Sequence, residues 1–145
     1  MKIGLGADHG GFRLKEDVKK HLLKLGHQVV DYGTDSTDSV DYPDYSEKVA
    51  KAVLAEEVER GILVCGTGIG IAIAANKVQG IRCATVSDVF SAKMCRQHNN
   101  CQIMALGERT VGPGLALELV DAFLAAEFEG ERHERRVSKI MQLEK

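Results

Sequence analysis

A cysteine that precedes a glycine-rich loop is the part of the chain with the clearest chemical potential. An apolar run over residues 62–64 predicts a buried parallel strand, which ends at Cys65. The loop that follows consists of Gly66, Thr67, Gly68, Ile69 and Gly70. An alanine-rich stretch after the loop predicts a helix, and a thiol at a helix N-terminus can act as a base or nucleophile. The alternative is a tight strand-to-helix turn with a buried, inert cysteine.

An acid and an imidazole follow the first predicted strand. Residues 2–7 are apolar and end in Asp8 and His9, with two glycines after them. Because the carboxyl ends of parallel strands meet at one edge of the sheet, we expect both side chains near Cys65. Asp8 could instead cap a helix, and His9 could be merely exposed. The shared edge favours a role in a site.

Further candidate residues lie in the second half of the chain. His98 and Asn99 end the helix after the fourth strand, where a histidine can also simply offset the helix dipole. Arg132 and Arg136 are four residues apart and therefore share one helix face. Two guanidinium groups on one face suit a phosphate, although a solvated charged face is the simpler alternative. Arg109, after the fifth strand, is a further candidate cation.

Several well-known motifs are excluded by single positions. A cysteine phosphatase loop needs arginine six residues after the cysteine, but Ile71 stands there. The same residue breaks both the Walker loop, which needs lysine after the glycine, and the glycine spacing of a dinucleotide site. Cys65, His9 and His98 lack the local spacing of a zinc site, so we expect no metal.

The order of elements predicts an α/β fold. Apolar strand patterns cover residues 2–7, 28–32, 62–65, 81–86 and 103–106. Helical patterns cover residues 14–25, 44–57, 69–77, 89–99, 113–126 and 132–144. Strands that alternate with helices predict a five-stranded parallel sheet covered on both faces. The last helix either packs on its own domain or on a second subunit, and the pattern leaves both open.

Composition restricts the class of protein. The chain has 145 residues, 44% hydrophobic and 28% charged, which predicts one soluble domain over residues 1–145. A net charge of −2 argues against nucleic acid, and no apolar run is long enough to span a membrane. Four cysteines without CxxC spacing, and no signal peptide, indicate a reducing cytoplasm.

Six short motifs carry a resemblance that covers nearly the full length. They occupy residues 8–12, 41–43, 65–70, 74–77, 96–99 and 130–136, and begin with Asp-His-Gly-Gly-Phe. The chain resembles the type B ribose-5-phosphate isomerases and the wider sugar-phosphate isomerase family that includes galactose-6-phosphate isomerase. The resemblance implies a Rossmann-like three-layer fold, a homodimer or tetramer with the last helix on a partner subunit, and no metal or cofactor. It also implies interconversion of an aldose phosphate and a ketose phosphate.

The resemblance assigns a role to each candidate residue. Cys65 is the base that moves a proton between C1 and C2, and His98 assists opening of the furanose ring. The enediolate oxygens are held by Thr67, Gly66, Gly68, Ile69, Gly70 and Asn99. The sugar hydroxyls or ring oxygen are contacted by Asp8 and Tyr42. The phosphate is bound by His9, Arg109, Arg132 and Arg136, with some arginines from the partner subunit.

Alternatives remain within and outside this chemistry. Some relatives replace the cysteine by a glutamate in the loop, but Cys65 and Ile71 match the cysteine branch. A five-carbon sugar phosphate is the leading substrate, and allose or galactose 6-phosphate is the second. A flavodoxin-like nucleotide-binding module is the remote alternative, which leaves Cys65 and the arginine pair without a function.

Overall fold

One parallel sheet forms the centre of the molecule. A computed structural model describes residues 1–144. Its strands are β1 (Lys2–Ala7), β2 (Gln28–Asp31), β3 (Arg60–Cys65), β4 (Cys83–Thr85) and β5 (Ile103–Gly107). They lie in the order β2-β1-β3-β5-β4, and every neighbouring pair is parallel. The predicted five-stranded parallel sheet is confirmed.

Helices cover both faces of this sheet. They are α1 (Phe12–Lys24), α2 (Tyr42–Leu54), α3 (Ile69–Asn76), α4 (Val89–Gln97), α5 (Pro113–Ala125) and α6 (Arg132–Gln142). Side chains of β3 alternate between two buried clusters, with Ile62 and Val64 in one and Leu63 and Cys65 in the other. The first cluster includes residues of α1, α4 and α5, and the second includes residues of α2 and α3. The α/β three-layer arrangement is therefore confirmed.

Most predicted bounds differ from the structure by one to three residues, and the differences at α2 and β4 have a clear local cause. Helix α2 begins at Tyr42 instead of residue 44, because Pro43 lies in its first turn, where a missing N–H leaves no hydrogen bond unmade. It ends at Leu54, and the chain cannot continue as a right-handed helix because Glu56 has a φ of 59°. Strand β4 covers only Cys83–Thr85, since the N–H of Ile81 bonds to the turn after α3.

The carboxyl edge and the amino edge of the sheet carry different candidate residues. At the carboxyl edge, Cys65 is level with Gly107, so the loops after β3 and β5 are neighbours. Helix α4 starts at this edge and runs back, so its end lies at the amino edge. There the guanidinium Nε of Arg82, the residue before β4, donates to the carbonyl of Asn99 at 2.9 Å. Four strand positions separate Ile103 from Gly107, which is about 13 Å along the sheet.

Helix α6 packs on its own chain through part of its surface. His133 and Val137 are buried, Arg82 Nη1 lies 3.0 Å from Met141 Sδ, and Gly80 N–H donates to Glu144 at 3.0 Å. Of the two packings that the sequence left open, packing on its own domain is present for this face. Two apolar residues of the same segment stay exposed, namely Ile140 and Leu143. Within residues 1–144, no helix combines the length and apolarity needed to cross a membrane.

Candidate active site

The Cys65 thiol lies inside the turn of the loop that follows β3. Its side chain is buried, and the N–H of Gly68 donates to Sγ at 3.1 Å. Gly68 has a φ of 78°, and a Cβ built there would lie 2.8 Å from the carbonyl carbon of Leu106. Both features require glycine, so the backbone holds one N–H donor on the sulfur. Such a donor is a stronger partner for a thiolate than for a thiol.

The rest of the loop is held by β4 and β5. The hydroxyl of Thr85 donates to the carbonyl of Gly68 at 2.7 Å. A Cβ on Gly107 would lie 2.6 Å from the main chain of Thr67, so its absence allows this close approach. Thr67 is exposed, and its Oγ1 accepts the N–H of Ile69 at 3.1 Å. Its hydroxyl proton is therefore free to reach a ligand oxygen beside the first turn of α3.

Asp8 borders the same loop. It is buried, and its Oδ1 accepts the N–H groups of Gly10 at 2.9 Å and Gly11 at 3.2 Å. It is not a helix cap, because Gly11 is the N-cap of α1. A Cβ on Gly10 would lie 3.3 Å from the nitrogen of Gly66, so the loops after β1 and β3 are in contact.

A cavity of about 290 Å³ opens beside these loops. It is lined by His9, Gly10, Arg13, Thr37, Glu108 and Arg109. The Nδ1 of His9 accepts the N–H of Val40 at 3.1 Å, so the proton of the neutral ring is on Nε2. Arg109 lies against Gly66 and donates its own N–H to that residue's carbonyl at 3.0 Å. Two guanidinium groups and an imidazole N–H make this cavity suitable for a phosphate.

Sequence reasoning missed three side chains of this cavity, those of Arg13, Thr37 and Glu108. Arg13 lies in the first turn of α1, and its place directly after the glycines of the first loop was the available signal. Glu108 would oppose an anion, but its Oε1 accepts the N–H of Leu14 at 2.8 Å. That hydrogen bond places its negative charge at the N-terminal turn of α1, which partly offsets it.

Tyr42 covers the far side of the loop. It is the first residue of α2, and a Cβ on Gly70 would lie 2.7 Å from the Cζ atom of its ring. The ring therefore lies directly against the backbone of the loop, and it remains partly exposed. One chain thus brings together the predicted residues Asp8, His9, Tyr42, Cys65, Thr67 and Arg109, with the glycines of the loop.

The remaining predicted residues lie elsewhere. His98 and Asn99 follow α4 at the amino edge, and Arg132 and Arg136 are exposed on α6. The His98 ring stacks on the ring of His133 with a centroid separation of 4.1 Å. Within one chain the structure does not bring this group to Cys65. The sequence did contain a signal for this separation, because a helix that follows a strand runs from the carboxyl edge back to the amino edge. The roles of these four residues stay predictions.

Two other buried groups clarify the electrostatics. All four cysteines are free, and burial raises the pKa of the Cys83 thiol, which makes Cys83 a poor nucleophile. Burial and the neighbouring His98 and Arg132 lower the pKa of His133. That imidazole is therefore neutral at pH 7.

The fold and the site define a sugar-phosphate isomerase. The profile of the family described as Ribose/Galactose Isomerase matches residues 3–140. The chain belongs to this family.

The chain is similar in sequence and structure to named relatives over almost its whole length. Ribose-5-phosphate isomerase B of Escherichia coli is 50% identical over 143 residues, which is 99% of this chain and 96% of the relative. A structure of Clostridium thermocellum ribose-5-phosphate isomerase B is 55% identical, with a TM-score of 0.98 and coverage of 99% and 97% of the two chains. Ribose-5-phosphate isomerase B of Mycoplasma genitalium, solved with bound ribulose 5-phosphate, is 41% identical, with a TM-score of 0.93 and coverage of 99% and 95%.

Proposed function

We propose that this chain interconverts ribose 5-phosphate and ribulose 5-phosphate through an enediolate intermediate. The observation that carries the proposal is the hydrogen bond from Gly68 N–H to Cys65 Sγ, beside a cavity lined by cations. The similarity to ribose-5-phosphate isomerases B supports the choice of a five-carbon substrate.

The carboxyl-edge residues provide most of the proposed chemistry. His9 and Arg109 hold the phosphate, while Asp8 and Tyr42 contact the sugar hydroxyls. Cys65, as the thiolate, removes the proton from C2; the electron pair of that C–H bond forms the C1–C2 double bond, and the carbonyl pair moves onto O1. The Cys65 thiol then returns the proton to C1, while O1 takes up a proton and the C2 hydroxyl gives one up, so that C2 becomes the carbonyl and the thiolate is regenerated. Thr67 and the N–H groups of the loop stabilise the resulting oxyanion, and one such donor lowers the barrier by about 3 kcal/mol.

A second copy of the chain completes the proposed site. Four candidate residues lie too far from Cys65 in one chain to contact the same substrate. They are His98 for ring opening, Asn99 for the enediolate, and Arg132 and Arg136 for the phosphate. The placement of these residues at the opposite edge from Cys65 supports a homodimer in which each site draws on both chains. The exposed Ile140 and Leu143 of the C-terminal segment offer apolar surface for the contact, and dimers can pair into tetramers.

Residues 1–145 act, in this proposal, as one catalytic domain in the cytoplasm. The two buried clusters share a single sheet, which supports one folding unit. Four free thiols suit a reducing compartment.

An isomerase assay with the phosphates of ribose, allose and galactose tests the proposal. We expect the highest kcat/KM for ribose 5-phosphate, and a loss of about 1,000-fold in kcat for Cys65→Ala, which removes the base. Cys83→Ala is the matched control, because Cys83 is also buried but lies at the start of β4. Inhibition by inorganic phosphate should remain in Cys65→Ala. Activity of that variant near the parent level would reject Cys65 as the base, and a preference for a six-carbon substrate would replace the proposed one.

A further inference from the structure

We propose that His98, Glu129 and His133 form a binding site for a divalent transition-metal ion of the Zn²⁺ or Co²⁺ type. One ligand atom of each residue lies within 4.8 Å of the other two. Glu129 Oε1 is 3.4 Å from His98 Nε2 and 3.7 Å from His133 Nε2. Ligands of a tetrahedral zinc ion, each bonded at 2.0–2.1 Å, are about 3.4 Å apart. The separation of Glu129 Oε1 from each imidazole nitrogen is therefore already close to that between two ligands of one zinc ion.

The backbone holds the three ligands in place. The N–H of Glu129 donates to the carbonyl of Gln97 at 3.0 Å, which fixes Glu129 beside His98 at the end of α4. Gly130, with a φ of 72°, then turns the chain into α6. His133 N–H donates to the carbonyl of Gly130 at 3.0 Å and lies four residues after Glu129. Metal binding thus needs only side-chain rotation.

His133 provides the second indication of a ligand. Its side chain is only 6% exposed, and among residues 1–144 its Nε2 has no hydrogen-bond partner. A buried polar atom without a partner destabilises the folded state. A cation between His133 and Glu129 would satisfy this nitrogen and neutralise the carboxylate.

The donor set selects the kind of metal. Two imidazoles and one carboxylate suit Zn²⁺ and its neighbours, whereas Mg²⁺ and Ca²⁺ prefer oxygen ligands alone. The rings of His98 and His133 are parallel within 8°, so their lone pairs do not yet converge. His98 is the more exposed ring, and its tilt toward Glu129 would bring the third ligand into position.

Metal binding has a consequence for catalysis, which rests on the proposed function. A bound ion takes the lone pair of His98, the group that we propose opens the furanose ring. The metal should therefore inhibit the reaction of ribose 5-phosphate. The metal should have little effect on the isomerisation of erythrose 4-phosphate, because this sugar cannot close a furanose ring.

Titration of the purified, tag-free and chelator-treated protein with CoCl₂ tests the site directly. We expect the visible absorption bands of tetrahedral Co²⁺, and a loss of at least about tenfold in affinity for Glu129→Gln and for His133→Gln. The matched controls are Glu127→Gln, an exposed glutamate two residues away, and His27→Gln. Both controls should bind Co²⁺ like the parent. Absence of these bands in the parent would overturn the proposal, as would equal affinity of Glu129→Gln and Glu127→Gln, which would show that the ion binds elsewhere.

An inhibition assay separates this site from the proposed role of His98. With ZnCl₂, the parent should lose ribose 5-phosphate isomerase activity, and Glu129→Gln should resist. Metal binding without inhibition would support the site and contradict ring opening by His98. Equal inhibition of both proteins would contradict the site as the cause.

Discussion

The two edges of the sheet are built in different ways. At the carboxyl edge, main-chain hydrogen bonds from the same chain hold Asp8, His9 and Cys65 in place. At the amino edge, Arg132 and Arg136 extend into solvent from α6. One chain therefore brings together the candidate base and one candidate phosphate pocket, whereas the roles proposed for the other candidate residues require a second chain. The difference shows that a complete list of candidate residues in one sequence does not imply a complete site in one chain.

Mixing two inactive variants gives the largest expected effect. Cys65→Ala and His98→Asn should each have low activity on ribose 5-phosphate. If each site combines the edges of two chains, a mixed dimer contains one site with both residues intact. Statistical exchange of subunits then restores about a quarter of the parent activity.

The measurement is isomerase activity after co-refolding of the two variants in equal amounts. Each variant refolded alone is the control. Activity of the mixture no higher than the mean of the two controls would mean that both residues act within one chain.

His98→Asn should separate two substrates. We expect a loss of about 100-fold in kcat/KM for ribose 5-phosphate, because a general acid–base group is removed from ring opening. The kcat/KM for erythrose 4-phosphate should fall much less, because this sugar has no ring to open. Steady-state kinetics on both sugars decide the point, and equal losses would exclude a role in ring opening.

Arg136→Ala should have a smaller effect that tests the phosphate contact. Removal of one charged hydrogen-bonding partner should raise KM about tenfold and leave kcat within about twofold of the parent. Arg135→Ala is the matched control, since Arg135 is an exposed neighbour on α6. Arg109→Ala at the carboxyl edge should raise KM in the same way if one phosphate contacts both edges. An unchanged KM in Arg136→Ala would leave phosphate binding to the carboxyl edge alone.

The smallest effect concerns the support of the carboxyl edge. Burial acts to raise the pKa of Asp31, but hydrogen bonds from Lys15, Gly33 and Lys19 keep that pKa below its usual value. A lowered carboxyl pKa contributes stability above the unfolded pKa of about 3.9, and this contribution is lost as the pH falls through the folded value. Asp31→Asn should therefore lower the free energy of unfolding at pH 7 by about 2 kcal/mol.

Urea denaturation at neutral and acid pH measures this contribution. The difference between Asp31→Asn and the parent should begin to shrink below about pH 4, where the unfolded carboxylate takes up a proton, and should reach its minimum once the pH lies below the lowered pKa of the folded parent. Asp35→Asn, at an exposed position, is the control and should match the parent at both values. A constant difference would show that the ion pair with Lys15 is not its source.

Strand and helix patterns could be predicted because the chain alternates apolar runs and amphipathic stretches. Strand β1 was predicted with its observed ends, and α4 was predicted with its observed start at residue 89, where the carboxylate of Asp88 accepts the N–H of Ser91. The predicted start of α2 at residue 44 was wrong because Pro43 lies in its first turn. Local signals therefore failed where one residue type serves both a turn and the first turn of a helix, and at β4, where the N–H of Ile81 bonds to the turn after α3.

The site was predictable to the extent that sheet topology fixes it. Asp8 and Cys65 follow parallel strands and had to meet at one edge. Arg13 and Glu108 were missed because their participation depends on side-chain direction, which no spacing rule gives. The separation of His98 from Cys65 followed from the direction of α4, but the family resemblance grouped the two residues by role and concealed their distance.

The contact between Tyr42 and Gly70 has a consequence for how such a chain can change over time. A methyl group at position 70 would overlap the tyrosine ring, so a single replacement there displaces the aromatic ring that lies against the loop. A smaller residue at position 42 would remove the overlap, but the ring would be lost with it. The two positions therefore form a constrained pair, and descendants of this sequence should alter both together or neither.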